Sequence, residues 1–195
     1  MAPPQPITVL DPLPWSRSTV TKLALSELVN SGQLAPNVEG QPPAWIVPPA
    51  TDREPNPPYG YVVSFIRQHE RGFAAPASRF MRGLCHHYRV ELHNFAPNVI
   101  SQAATFVGVC EGFLGIPVNW DLWVHLFRAE LHTLATPEAR VRRAVRAGGL
   151  SVSLRDSRKE LYIPCTMTSN NAEWERGWFY LRNDGAGLPP TPERC

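Results

Sequence analysis

Five aspartates, Asp11, Asp52, Asp121, Asp156 and Asp184, are the first candidates for phosphoryl chemistry on a pair of metal ions, which needs carboxylates converging on one point. Asp156 and Glu193 have roughly the separation found in some integrases. One falls in a basic turn and the other near the chain end, and no preceding strand sets a first aspartate beside them. Histidines His86, His87, His93, His125 and His132 gather around one apolar stretch together with Cys85. Their spacings match neither a ligand pair one helical turn apart nor a two-cysteine knuckle, and His86 and His87 point about 100° apart on a helix. Hydrogen-bonded histidines, with no metal and no cofactor, are expected. His69-Glu70 opens the pattern of a zinc-protease helix, but Phe73 stands where the second histidine belongs. Cys85 beside His87 or His93 lacks any mark of an oxyanion site. An enzyme is not expected.

Two further features bear on function. Glu111 sits inside the apolar run 107–116. A carboxylate there must reach water, cap a neighbour or pair with a cation, since burying it alone is costly. A structural salt bridge from Glu111 to Arg128 is the expected solution, with Arg82 as a second possible partner. The other feature is a basic cluster of Arg140, Arg142, Arg143, Arg146, Arg155, Arg158 and Lys159, opposed between 138 and 159 by Glu138 and Asp156, a local balance of +5. Such a cluster suits RNA or DNA phosphates, and equally suits a solvated helix end that offsets its own dipole.

The whole chain carries no comparable bias. Its 195 residues hold 19 Lys+Arg against 17 Asp+Glu, so a charge-driven partner must be met by a local patch. Hydrophobic residues at 43% and charged residues at 18% describe one globular core, while 21 prolines call for long irregular connections. Cys85, Cys110, Cys165 and Cys195 have no paired spacing, and the opening MAPPQPITVL is no signal peptide. No apolar run approaches the ~20 residues of a membrane span. An intracellular protein of the nucleus or cytoplasm is expected, without a membrane partner.

The elements that must position these residues follow from periodicity. Residues 1–14 read as a disordered Pro-rich arm, 15–183 as a single globular domain with a Pro-rich connector at 36–58, and 184–195 as a disordered tail. Within the connector, Pro–Pro pairs without flanking basic residues are a poor match to the ligand of a peptide-binding module. Helices are expected over 18–31, 59–72, 77–88, 98–114, 120–134 and 138–149, with an edge strand at 44–47. The period then changes to two: 150–154, 160–164 and 178–182 read as strands. In the helix at 98–114, Val99, Ile100, Ala103, Val107, Cys110, Phe113 and Leu114 share a face, which places it at the centre. The fold class expected is therefore α+β, predominantly α, with a helical core around a central buried helix and a small C-terminal antiparallel β-sheet.

The run Phe80…Tyr88-x-Val90-x-Leu92-His93-x-Phe95-x-Pro97-Asn98, then Phe106…Cys110-Glu111-x-Phe113-Leu114-Gly115-Ile116 and Asp121-Leu122-Trp123…Phe127, resembles the plant domain family called "putative gypsy-type transposon", of grass retroelements. It is more distantly similar to the plant mobile domain. The likeness spans about 15–183, with Trp15-Ser16-x-Ser18-Thr19-Val20 near one end and Trp178-Phe179-Tyr180-Leu181-Arg182-Asn183 near the other. The resemblance implies a non-catalytic retrotransposon-derived domain, a Gag-like assembly or nucleic-acid-associated module of a longer protein. Self-association or another protein partner goes with that reading. A host-type protein-interaction domain, with Trp120, Trp123 or Trp174 on its surface, is the alternative, as is a decayed reading frame without current function.

Overall fold

Thr21 accepts a hydrogen bond from the Ala24 amide and starts helix α1 (Lys22–Asn30), which buries Leu25 and Leu28 and ends before Gly32 at φ +73°. In the computed structural model, which describes residues 15–133, 145–162, 173–183 and 188–189, the chain then crosses the proline-rich connector to strand β1 (Trp45–Ile46). Strand β2 (Tyr61–Phe65) runs directly into the short helix α2 (Ile66–Glu70). Helix α3 (Arg79–Tyr88), capped by Ser78, leads through a 3-10 turn at Leu92–Asn94 to α4 (Pro97–Val107), where Pro97 occupies the first helical position. Helix α5 (Trp120–Leu126), capped by Asn119, passes into β3 (Phe127–Thr133), which pairs with β4 (Val145–Leu154). Strand β5 (Trp178–Arg182) closes the sequence of elements.

A helical core with a small C-terminal sheet is not the architecture found. Among the described residues there are five α-helices and five strands in two antiparallel sheets. One sheet has the order β1-β5-β2 and draws strands from both ends of the chain, with Val62 opposite Leu181 and Trp45 also opposite Leu181. The other is the β3-β4 pair, in which Phe127 faces Leu154 and Ala129 faces Val152. Residues 61–65, expected to be helical, form β2 because both of its faces are buried. Val62 packs with Phe179 and Leu181 towards the helices, while Val63 and Phe65 pack with Trp178 and Tyr180 under Trp15 and Trp174. A strand buried on both sides shows no alternation, and its apolar run is indistinguishable from a helical one.

Residues 127–133, expected to continue a helix, alternate in the described part: Phe127 is buried and Ala129 half-buried, whereas Arg128 and Glu130 are exposed. The expected basic helix falls mostly on 134–144, outside the described residues; its end, 145–149, is β4. The expected strand at 160–164 overlaps a 3-10 turn, Asp156–Leu161. Arm 1–14 and most of tail 184–195 are outside the described residues, yet Leu188 of that tail is buried and its carbonyl accepts the Asn183 side chain at 3.0 Å.

Helix α4 is one-sided. It buries Val99, Ile100, Ala103 and Phe106, with the Phe106 ring against Trp123 and Phe127, while Ala104 is exposed. Gln68, itself buried, fastens the connection beneath it by donating to the carbonyls of Leu92 (2.9 Å) and Phe95 (3.2 Å). No helix among the described residues is long and apolar enough to cross a membrane.

Candidate interaction surface

The most informative side chains sit where α4 ends. Residues Gly108–Phe113 form a π-helical turn, followed by Gly115 at φ +66°, with Leu114 N–H bonded to Val109 O (2.9 Å) and Ile116 N–H to Cys110 O (2.8 Å). Each residue of a π turn rotates the chain less than an α-helical residue does. The stripe that buries Ala103, Phe106 and Cys110 is thereby turned away from Phe113. Phe113 is 83% exposed, Leu114 53% and Ile116 40%, although α-helical spacing assigns Phe113 and Leu114 to the core. Beside this apolar knuckle lies a shallow hollow lined by Ile116, Asn119, Asp121, Leu122 and His125. Three exposed apolar side chains thus fall within four residues, where an ordinary surface scatters them singly.

Glu111 lies on the same turn and is exposed, so its carboxylate reaches water directly. The expected bridge to Arg128 is not made. Arg128 pairs with Glu130 (3.2 Å) and Asp156 (3.8 Å) and donates to Ser153 Oγ (3.2 Å). Among the basic cluster, Arg140, Arg142 and Arg143 are outside the described residues, and Arg146 is placed by its backbone alone, in β4. Arg155, Arg158 and Lys159 are brought together on the 3-10 turn and its lead-in. They are partly engaged: Arg155 donates to the Val124 carbonyl (3.1 Å) and Lys159 pairs with Asp156 (2.8 Å). Hydrogen bonding and charge from Lys159, with Arg128 behind it, lower the Asp156 carboxyl below the usual range. In the described part of the cluster Asp156 thus offsets one of the three positive charges.

The sequence did not flag a buried serine–histidine pair. Ser64 Oγ lies 3.0 Å from His69 Nε2, and His69 Nδ1 lies 3.1 Å from the Gln33 carbonyl oxygen. A carbonyl only accepts, so Nδ1 carries the proton and Nε2 accepts from the Ser64 hydroxyl. Burial pushes the His69 pKa down to about 4, opposed in part by the bond to Gln33. The pair has the geometry of an activated nucleophile, but Ser64 is 0% and His69 1% exposed, so neither meets a substrate. Its place in a double-sided strand next to a short helix hid it from a reading based on motif spacing.

Several of the other candidates have packing partners, while Asp11, Asp184 and Glu193 lie outside the described residues. Cys85 is fully buried and its thiol is pushed up to about 12, chiefly by burial; Cys110 is buried too and raised for the same reason. His93 lies 3.2 Å from Glu91 and against Trp15. His87 packs on Trp120, whose indole is half-buried. Trp123 is fully buried and Trp174 half-buried. No group of three His, Cys, Asp or Glu suited to a metal occurs among the described residues.

No curated protein and no solved structure matches this chain. A family model does, over residues 62–131, about a third of the sequence, from the second residue of β2 into β3. The matched stretch contains α2 to α5 and the whole apolar knuckle. Over these residues the chain matches the family described as "Putative gypsy type transposon".

Proposed function

We propose that the protein is a non-catalytic module of a transposon-encoded protein that contributes an assembly contact, as a segment of a Gag-like polyprotein does. The observation that carries this reading is the exposure of Phe113, Leu114 and Ile116 on one knuckle inside the family-matched segment. Fully burying such a side chain stabilises by roughly 1.5–3 kcal/mol. Scaled by their exposures, the three supply about 3–5 kcal/mol per copy. A twofold contact doubles this, to the same order as the roughly 4–15 kcal/mol that association costs. A pair in isolation is therefore weak, and the contact becomes effective when many copies are held together.

Nucleic acid enters as a second component through Arg155, Arg158 and Lys159 together with Arg140, Arg142, Arg143 and Arg146. Asp156 offsets part of that charge by pairing with Lys159, which favours protein association as the primary role. Light scattering on the purified chain, with and without a mixed RNA pool at low and high salt, tests both components. Mass that grows with protein concentration, and further with RNA at low salt only, supports the proposal. A monomer of unchanged mass under all four conditions contradicts it.

A further inference from the structure

A second exposed feature lies where the proline-rich connector leads into β2. Strands β1 and β2 both run antiparallel to β5, so both begin beside its last residues. Arg182 N–H donates to Ala44 O (2.9 Å) and Asn183 N–H to Gly60 O (2.7 Å). Two proline pairs, Pro42-Pro43 and Pro57-Pro58, are thereby brought to one end of the sheet. Tyr61 Oη donates to Pro43 O (2.8 Å) and the Arg182 guanidinium donates to Pro42 O. Pro42, Pro43 and Pro58 are exposed, and Tyr59 is 99% exposed.

The backbone here is strongly constrained. Tyr61 N–H bonds to Pro58 O (3.0 Å) and Gly60 has φ +81°, while Tyr59 keeps a negative φ, which defines a type II turn with Tyr59 in its extended position. Proline fixes φ at 57 and 58, and a following proline holds residues 56 and 57 extended. These restrictions favour an extended, polyproline II-like course from Asn56 to Tyr59, stopped by Gly60. Its far end is tied down as well: Asn56 N–H donates to Tyr180 Oη (2.9 Å), which donates to Asp52 (2.7 Å). With three residues per turn, Asn56 and Tyr59 fall on the same edge, and the half-buried Pro57 faces the domain. The ridge is ordered before any partner arrives, and the aromatic ring at its tip gains nothing from its own chain.

We propose that Asn56-Pro57-Pro58-Tyr59 is a docking element for a partner module of the WW class, which reads polyproline II through a groove lined with aromatic side chains. Three properties select this partner: the preformed left-handed backbone, an exposed tyrosine that combines a large apolar face with a hydroxyl, and the lack of charge from 55 to 60. Within the element itself there is no charge; the nearest cation in sequence, Arg53, lies two residues before Pro55 and next to Glu54.

The test titrates the full chain against a panel of isolated WW domains, with SH3 domains in parallel, following fluorescence anisotropy of the labelled domain. Micromolar binding by a WW domain, weakened at least about tenfold by Tyr59→Ala and unchanged by Phe113→Ser, is the expected result. Tyr59 touches nothing in the fold, so an unaltered circular dichroism spectrum verifies that Tyr59→Ala is folded. Absence of WW binding at millimolar concentration, binding by SH3 domains alone, or equal binding by Tyr59→Ala overturns the proposal.

Discussion

Replacing His69 by Gln removes a proton site from the core while leaving a side chain that still hydrogen-bonds. His69 is 1% exposed, and burial sets its folded pKa at about 4 against 6.5 in an unconstrained chain. In the folded protein the ring is neutral throughout the interval between these values; in the unfolded chain it takes up a proton as pH falls below 6.5. The unfolded state thus binds more protons there, and stability falls as pH falls, by about 1.4 kcal/mol per pH unit. The loss amounts to about 3 kcal/mol by pH 4 and is absent above about pH 7.5. Urea denaturation followed by tryptophan fluorescence at a series of pH values measures it. The wild-type protein should lose about 3 kcal/mol more than His69→Gln between pH 7.5 and pH 4. Parallel losses in the two proteins, or an imidazole signal for His69 titrating near 6.5 in the folded state, would refute the assignment.

Gly148 has φ +64°, and a Cβ built on it overlaps the Trp174 ring, so Gly148→Ala should cost roughly 2–4 kcal/mol in urea denaturation. Phe113→Ser should change stability by less than about 0.5 kcal/mol, whereas Phe106→Ala, on the buried side of α4, should cost about 3–5 kcal/mol. Equal costs would place Phe113 in the core after all. Cys85 should resist iodoacetamide in the folded protein and react on unfolding, with the labelled site identified by mass spectrometry; rapid labelling of Cys85 under native conditions would contradict its burial.

The legible parts of this fold are those written in local chemistry. Asn119 announces α5 and Gly32 stops α1, while the apolar run 178–182 reads as a strand because aromatic residues crowd it. What local chemistry does not contain is the pairing of residues 45–46, 61–65 and 178–182 into one sheet. That pairing buries both faces of 61–65 and so erases the alternation that would have identified β2. Leu126, Phe127, Glu130 and Leu131 fit helical spacing, Phe127, Ala129 and Leu131 fit a strand period, and only the pairing with β4 decides between them. The knuckle was visible as residues but not as a surface. Phe113 and Leu114 continue an α-helical stripe on paper, and a single π turn rotates Phe113 out of it.

Hydrogen exchange on the intact chain, compared between dilute and concentrated samples, tests the proposed assembly contact most directly. The expected result is protection that grows with concentration at residues 109–122, around Phe113, Leu114 and Ile116, and is lost in Phe113→Ser/Leu114→Ser. Concentration-dependent protection confined to other segments, or none at any concentration, would contradict the assignment of this knuckle as the contact.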